Sequence, residues 1–275
     1  MSAHTIAVAS FDIPLGNGLR VRGEARAIPN GEPKPVVLLG HGFRAHRLWS
    51  FWPEVAGRFA EQGYYAVSFD FSRIAAEEDR QSAETVAEAA TYGQELADWD
   101  AVLTQLLATG LGLDEEADKS RIAVLGHSRA AGSGILLASR RPAVRAVVAW
   151  NGGVSAPLSP IAADGASLTV REEAIRADLA ANADRYDVVG AYGDLEVPAL
   201  VVYGTADHER LLAAVDELQD AYPEQSFVAV RGADHAFGAK HPYEGFTKHL
   251  EDALDNSLRF LRRVFSDNRR GGTSE

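Results

Sequence analysis

The sequence predicts an α/β fold, with a mostly parallel eight-stranded sheet that carries helices on both faces. Short, continuous apolar runs alternate with segments of helical periodicity along most of the chain. Strands that are apolar throughout are typical of a parallel sheet covered by helices on both sides. The chain has 275 residues, of which 46% are hydrophobic, and that is enough to fill one sizeable core.

The first two predicted strands, residues 5–14 and 19–28, differ from the later ones and form a hairpin. The segment Gly16-Asn17-Gly18 between them is a favourable turn sequence. Apolar and charged residues alternate strictly in the second strand, which is typical of an antiparallel strand with one exposed face. The face predicted to be buried consists of Leu19, Val21, Gly23, Ala25 and Ala27.

After the hairpin the sequence predicts buried strands that are separated by helical segments. These strands cover residues 36–39, 65–69, 122–125, 144–150, 199–203 and 227–230. An apolar stripe at steps of three and four marks one of the helices. The stripe is made of Tyr92, Leu96, Trp99, Leu103 and Leu106.

Residues 154–197 interrupt this alternation, because they contain no clear buried strand and are longer than a simple crossover requires. They include one helical segment, around 171–181, whose apolar members Ile175 and Leu179 form a narrow stripe. We therefore expect a single domain over residues 1–275, with 154–197 as a small cap insertion. The polar, Gly-rich residues 267–275 predict a flexible tail.

Composition and charge argue against several classes of function. Acidic residues outnumber basic ones by 39 to 27, for a net charge of -12, so nucleic acid is not an expected partner. The chain has no cysteine, which removes disulfides, thiolate metal sites and a cysteine nucleophile. No apolar stretch approaches the roughly 20 residues that span a bilayer, and we recognise no signal peptide. A cytoplasmic protein without a membrane partner is expected.

A candidate nucleophile lies in Gly126-His127-Ser128-Arg129-Ala130, which follows the predicted strand 122–125 and opens a helix. This is the context of the G-x-S-x-G motif, in which a sharp turn exposes the serine and small flanking residues let strand and helix approach. Alanine replaces the last glycine here. Taken alone, the pentapeptide fits a surface turn equally well. Together with the features below, it predicts Ser128 as the nucleophile.

A base and an acid are predicted after the last two strands. His235 follows strand 227–230, where it can fold back over the sheet edge, and a free imidazole, with a pKa of about 6.5, accepts a proton readily near neutrality. Asp207 follows strand 199–203 and is predicted to accept the imidazole N–H. The order Ser128, Asp207, His235 is the one expected for such an elbow. Glu209 and Asp234 are the alternative acids.

The loop after strand 36–39 carries His41-Gly42-Phe43-Arg44. Next to a nucleophile elbow, such a loop supplies one backbone N–H to the developing oxyanion, and the residue after the nucleophile supplies the other. We predict that Phe43 and Arg129 provide these two groups, although His-Gly alone also fits an ordinary glycine turn. The residues predicted to line the substrate pocket are His41, Trp49, His127 and Trp150.

Neither a metal nor an organic cofactor is expected. The histidines and acids near these motifs show no fixed ligand spacing such as H-E-x-x-H. The spacing of Gly126, Gly132 and Gly134 does not match the G-x-G-x-x-G of dinucleotide-binding loops.

These motifs together resemble the α/β-hydrolase superfamily and, among its branches, bacterial dienelactone-hydrolase-like and cinnamoyl-esterase-like proteins. The matching stretches are His41-Gly42-Phe43 with 49–53, the elbow 126–129, and 232–237 with 241–245. The resemblance implies the α/β-hydrolase fold and cofactor-free serine chemistry. The family elbow usually continues with Gly-Gly where this chain has Ala130-Ala131. Dienelactone hydrolases proper use a cysteine nucleophile, so their own reaction is disfavoured here.

The leading hypothesis is a carboxylic-ester hydrolase that acts on small or aromatic acyl esters through an acyl-enzyme. An acyltransferase or a peptidase would use the same three residues, and a non-catalytic binding protein would share only the fold. The intact set Ser128, Asp207 and His235 argues against the binding protein. The expected partner is a small-molecule ester, while the natural substrate and the oligomeric state stay open.

Overall fold

The computed structural model describes residues 5–161 and 167–270, and an eight-stranded sheet forms its centre. The strand order is β1-β2-β4-β3-β5-β6-β7-β8. β2 pairs antiparallel with β1 and β4, and the other neighbouring strands are parallel. The strands are β1 (Ala7–Pro14), β2 (Arg20–Ala27), β3 (Lys34–Gly40), β4 (Tyr65–Asp70), β5 (Ala117–His127), β6 (Val144–Trp150), β7 (Ala199–Gly204) and β8 (Ser226–Val230). The predicted fold class is confirmed.

Helices connect the parallel strands and cover the sheet. Those within the described ranges are α1 (Trp52–Glu61), α2 (Ser72–Glu78), α3 (Ala83–Ala89), α4 (Tyr92–Ala108), α5 (Arg129–Arg140), α6 (Val170–Ala181), α7 (Val188–Ala191), α8 (Glu209–Ala221) and α9 (Lys248–Arg270). None of them is long and apolar enough to cross a membrane.

The β1–β2 hairpin has the predicted form. Leu15 N–H donates to the carbonyl of Leu19 at 2.8 Å, and Gly18 adopts a φ of +83° that favours glycine. The face of β2 predicted to be apolar is buried, with Val21 and Ala25 fully enclosed. The alternation in the sequence therefore corresponds to an antiparallel strand with one buried and one half-buried face.

Side chains alternate between two helical layers, because successive residues of a strand point to opposite faces of the sheet. On β3, Val36 and Leu38 belong to the core shared with α4 and α5, whereas Val37 and Leu39 pack in the core with α1 and α9. The predicted stripe on α4 is buried in the first of these cores. We refer to these two sides as the α4/α5 face and the α1/α9 face.

The segment between β6 and β7 holds α6 and α7, and residues 162–166 lie outside the described ranges. Helix α6 matches the helical segment expected there and begins with a capping box between Thr169 and Glu172. At the other end of the chain, α9 extends to Arg270, so the tail expected at 267–275 begins within this helix. Residues 271–275 are not among those described.

Candidate active site

Ser128 occupies the sharp turn between the end of β5 and the start of α5. Its φ of +57° and ψ of -122° lie in a region that residues other than glycine seldom adopt. Its N–H donates to the carbonyl of Trp150 at 2.8 Å, and its carbonyl accepts from Ala131 N–H at 3.1 Å. These bonds hold the strained turn and point the hydroxyl away from the sheet toward His235.

Two glycines allow the backbone to approach this turn. A Cβ on Gly126 would lie 2.1 Å from the carbonyl oxygen of Ala130, and a Cβ on Gly152 would lie 2.1 Å from the carbonyl oxygen of Ser128. Both distances are far shorter than a van der Waals contact. Ala130, which replaces the last glycine of the motif, is fully buried between strand and helix, so alanine fits this position.

The predicted nucleophile, base and acid lie within hydrogen-bond distance of one another. Nε2 of His235 is 2.9 Å from Oγ of Ser128, and Nδ1 of His235 is 2.8 Å from Oδ2 of Asp207. Because Asp207 can only accept when ionised, Nδ1 carries the proton and Nε2 is left to accept from the serine hydroxyl. The three residues follow β5, β7 and β8, whose carboxyl ends share one edge of the sheet.

The Asp207 carboxylate is shielded from solvent, whereas the His235 ring is 38% exposed. Burial acts to raise the pKa of Asp207, but the hydrogen bonds from His235 and from the N–H of His208 outweigh it and lower the pKa. Oδ1 accepts that N–H at 2.7 Å. The carboxylate is therefore ionised at neutral pH and keeps the imidazole oriented.

The two alternative acids have other positions. Oδ1 of Asp234 accepts the N–H groups of Ala236 at 3.0 Å and Gly238 at 2.6 Å, so this carboxylate closes a turn of its own loop. Glu209 is the exposed first residue of α8. Of the three acids considered, Asp207 is the one bonded to His235.

The loop after β3 lies against the elbow, as a Cβ on Gly42 would be 3.3 Å from Cβ of Ser128. The buried guanidinium of Arg73 supports this loop. It donates to the carbonyls of Gly42 at 3.1 Å and Ala45 at 3.3 Å, and it lies 5.0 Å from the ring of Phe43. The N–H groups of Phe43 and Arg129 donate to no carbonyl among the described residues, and both residues line the cavity over Ser128.

The side chain of Arg129 is fixed in the wall of the site. Its Nε lies 3.0 Å from Oε2 of the buried Glu95, and a terminal nitrogen donates to the carbonyl of Ala90 at 2.9 Å. The guanidinium also lies 4.5 Å from the ring of Phe43 and 5.3 Å from that of Tyr92. Its charge is thus largely balanced by Glu95.

A cavity of about 440 Å³ opens directly over Ser128 and His235. Its lining is mostly apolar, which is typical of small-molecule sites, and α6 contributes the two residues of its narrow stripe, Ile175 and Leu179. Other lining residues that sequence reasoning did not identify are Tyr92, Gly132, Asn151, His208 and Leu211. A second cavity, of about 490 Å³, lies around Val144 and Pro198 and includes none of the three predicted catalytic residues.

The four residues predicted to line the substrate pocket lie outside this cavity. Trp150 is fully buried, stacks on Trp52 at 6.1 Å and donates from Nε1 to Ser257. Trp49 stacks on His241 at 5.8 Å on the same side of the sheet. This is the α1/α9 face, whereas the cavity opens on the α4/α5 face, so the assignment of Trp49 and Trp150 to the pocket is corrected.

The other two residues of that group, His41 and His127, are buried and hydrogen-bond to backbone carbonyls of the loops around the site. His41 donates from Nδ1 to the carbonyl of Gly42 at 2.9 Å, and burial lowers its pKa well below the usual value. His127 donates from Nε2 to the carbonyl of His235 at 2.7 Å. Burial, together with the nearby His235, lowers the pKa of His127 to about 4. Both rings are therefore neutral near pH 7 and contact protein rather than the cavity.

No group of three or more His, Asp or Glu side chains that could hold a metal ion occurs within residues 5–161 and 167–270. Three histidines near Ser128 have protein partners instead, since His41 and His127 donate to backbone carbonyls and His235 bonds Asp207.

The sheet, its helices and the strained elbow after β5 are those of the α/β-hydrolase superfamily. Within it, the chain belongs to the dienelactone hydrolase family, whose model matches residues 24–265. The protein is thus a member of a hydrolase family, as the resemblance of its motifs indicated.

Individual relatives are distant. The chain is 26% identical over 268 residues to a protein of Methylorubrum extorquens that carries a provisional carboxymethylenebutenolidase name, with 91% of this chain and 81% of the relative covered. Among solved structures, Est1E from Butyrivibrio proteoclasticus has a TM-score of 0.68 at 17% identity, with 94% and 99% of the two chains covered. An esterase from the archaeon Pyrobaculum calidifontis has a TM-score of 0.66 at 17% identity, with 94% and 83% covered. Another structure of Est1E holds ferulic acid.

Proposed function

We propose that this protein is a serine hydrolase of carboxylic esters that works through an acyl-enzyme, with Ser128 as nucleophile, His235 as general base and Asp207 as the orienting acid. The observation that carries the proposal is the continuous hydrogen-bonded series from Ser128 Oγ through His235 to Asp207. The absence of cysteine from the chain distinguishes it from dienelactone hydrolases that use a thiolate.

In the first half of the reaction, Nε2 of His235 takes the proton of Ser128 as Oγ attacks the ester carbonyl. The ionised Asp207 stabilises the imidazolium that forms. His235 then gives this proton to the leaving alkoxide, and the C–O bond of the ester breaks to leave the acyl group on Ser128. In the second half, His235 activates a water molecule, which releases the carboxylic acid and restores the serine.

Charge develops on the carbonyl oxygen in both halves, and the proposed oxyanion hole stabilises it there. The backbone N–H groups of Phe43 and Arg129 are the proposed donors. One such donor is typically worth about 10²–10³ in rate. Because Arg73 holds the Gly42–Ala45 loop and Arg129 begins α5, both donors belong to segments with restricted movement.

The size and lining of the cavity support small or aromatic acyl groups as substrates. Its volume of about 440 Å³ is in the range of small-molecule pockets. Ile175 and Leu179 of α6 form one wall, so we propose that residues 154–197 act as a cap over a single catalytic domain. The ferulic acid bound to Est1E agrees with an aromatic acid in a pocket of this fold.

Labelling with a fluorophosphonate, followed by intact-mass analysis, tests the nucleophile. We expect one adduct per wild-type chain and no adduct on Ser128→Ala. Ser155→Ala is the matched control, because Ser155 lines the same cavity but has no described base beside it; it should be labelled like the wild type. An adduct that survives Ser128→Ala would show that Ser128 is not the nucleophile.

Product analysis then distinguishes hydrolysis from the related reactions. Unlabelled wild-type enzyme, from a preparation shown to react with the fluorophosphonate, is incubated with an aryl ester, a thioester and a peptide, each with and without an added alcohol. Release of free acid from the ester supports the proposal. Transfer of the acyl group mainly to the added alcohol would indicate an acyltransferase, and turnover of the peptide alone would indicate a peptidase.

A further inference from the structure

We propose that Asn151 is the positioning residue that keeps the loops of Asp207 and His235 in register with the elbow, an inference that rests on the proposed function. Asn151 directly follows the last residue of β6, and it is 1% exposed. Its side chain reaches the adjoining loops, one on each side of its amide group. No motif in the sequence marks this residue.

The side-chain oxygen of Asn151 contacts the acid loop. Oδ1 accepts the N–H of Gly204 at 2.8 Å, and Gly204 ends β7 three positions before Asp207. The backbone of Asn151 is fixed on the same strand, since its own N–H donates to the carbonyl of Val202 at 2.9 Å. Asn151 therefore fixes the backbone at Gly204, from which the chain continues to Asp207.

The side-chain nitrogen of Asn151 contacts the base loop. Nδ2 donates to the carbonyl of His235 at 2.9 Å and lies 3.3 Å from the carbonyl of Asp234. His127, directly before Ser128, donates to the same His235 carbonyl at 2.7 Å. The backbone of His235 is thus held by two buried donors, although its ring is partly exposed to the cavity.

Gly152, the residue after Asn151, packs against the elbow that carries Ser128. Gly152 packs so closely on Ser128 that any Cβ at position 152 would overlap the Ser128 carbonyl. Asn151 and Gly152 together therefore contact the segments that carry the nucleophile, the base and the acid. A shift of Asn151 would change the relative positions of all three, and displacements of about 1 Å at a reacting site can cost about 10² in rate.

Asparagine suits this position for two reasons. Its φ is +45°, and asparagine is among the few residues other than glycine that adopt the left-handed region at low cost. An amide also offers an acceptor and a donor at once, which matches an N–H on one side and carbonyls on the other. Aspartate would keep the acceptor but place a second oxygen against the carbonyls, and glycine would fit the backbone while removing both bonds.

The experiment compares Asn151→Asp and Asn151→Gly with the control Ser257→Ala. Ser257 is fully buried, accepts a hydrogen bond from Trp150, the residue before Asn151, and donates its own to the carbonyl of Ala253, so its hydroxyl bonds neither the acid loop nor the base loop. For each protein we would measure kcat and KM on an aryl ester, the rate of fluorophosphonate labelling, and Tm with a circular dichroism spectrum. Assays are run well below the lowest Tm.

Both Asn151 variants should remain folded and lose about 10² in kcat and in labelling rate, with KM nearly unchanged. Ser257→Ala should lower Tm but keep kcat and the labelling rate. A purely structural role for Asn151 predicts a fall in Tm without a loss of kcat, and this result in a folded variant overturns the inference. If Asn151→Gly does not fold, the same comparison on Asn151→Asp decides. A wild-type enzyme without labelling would instead refute the proposed function.

Discussion

Asp178, on helix α6, accepts the backbone N–H of Tyr92 at 2.9 Å and so satisfies the first free donor of helix α4. The same oxygen accepts the N–H of Gly93 at 3.0 Å, and Thr91 caps the third donor through its side chain. The other carboxylate oxygen accepts from the hydroxyl of Tyr186 at 2.7 Å. One side chain from the segment between β6 and β7 thereby completes the start of a core helix.

We expect Asp178→Ala to lower the free energy of unfolding by about 1–2 kcal/mol, as the loss of a helix cap does. For a chain of this size, each kcal/mol shifts Tm by roughly 2–4 °C. KM should rise as well, because α6 carries Ile175 and Leu179 into the cavity. Thermal unfolding and steady-state kinetics measure both effects.

Arg171→Ala is the matched control on the same helix. Arg171 pairs with Glu77, but both side chains are more than 40% exposed, and exposed ion pairs contribute at most about 1 kcal/mol. Equal falls in Tm for the two variants would contradict the capping role of Asp178.

The three candidate acids can be separated by amide substitutions. Asp207→Asn should leave the protein folded and lower kcat by roughly 10⁴, because the amide no longer selects the productive tautomer of His235. Asp234→Asn and Glu209→Gln should lower kcat far less, since neither carboxylate is bonded to the imidazole. A larger loss of kcat in either of these two than in Asp207→Asn would reassign the acid.

Asp98 makes stability depend on pH. It is fully buried, and burial raises its pKa to about 7, against the hydrogen bonds from Gln94 and Ser72 that lower it; the nearby Glu95 adds to the rise. An unfolded aspartate has a pKa of about 3.9. Between about pH 4 and 7 the folded state therefore holds a proton that the unfolded state releases, and the contribution of Asp98 to stability falls as pH rises.

Asp98→Asn removes this titration, because an amide does not ionise in that range. The difference in Tm, variant minus wild type, should increase from pH 4.5 to about pH 7 and then level off. Thermal unfolding at half-unit steps of pH measures it. A difference in Tm that is constant across this range would show that Asp98 does not titrate as described.

Substrate length should be limited by the wall that α6 forms. In a series of p-nitrophenyl esters with a cinnamate ester beside it, kcat/KM should be highest for short or aromatic acyl groups. Ile175→Ala enlarges the cavity and should move the optimum toward longer chains, with Tm as the check on folding. Values of kcat/KM in the wild type that climb toward C12–C16, with activation at an oil–water interface, would contradict a small pocket.

The sequence predicted the strands well because β3, β4, β6 and β7 consist mainly of apolar residues that are buried on both faces. It missed the beginning of β5, where Asp118, Lys119 and Ser120 continue the strand with polar residues. No local pattern distinguishes such residues from a loop. The residues that line the cavity beside the elbow were harder to predict, since residues adjacent in sequence alternate between the two faces of the sheet.

Trp150 shows this limit clearly. It directly precedes Asn151 and Gly152, and Gly152 packs against Ser128. The side chain of Trp150 nevertheless lies on the α1/α9 face, where it stacks on Trp52. Asn151, one position later, contacts loops 53 and 84 residues further along the chain. Contacts of that range arise from the path of the folded chain, and a single sequence does not encode them in any spacing.

The order of the strands along the chain also determines when the site can form during synthesis. β5, which leads to Ser128, pairs with β3 near the middle of the sheet, whereas Asp207 and His235 follow β7 and β8, the last two strands of the chain. A ribosome produces the chain from its N-terminus, so the elbow is synthesised before the proposed acid and base, Asp207 and His235. A nascent or truncated chain that ends before β8 would contain Ser128 without His235. We therefore expect ester hydrolysis only from chains long enough to include β8 and His235, and no activity from chains arrested before them.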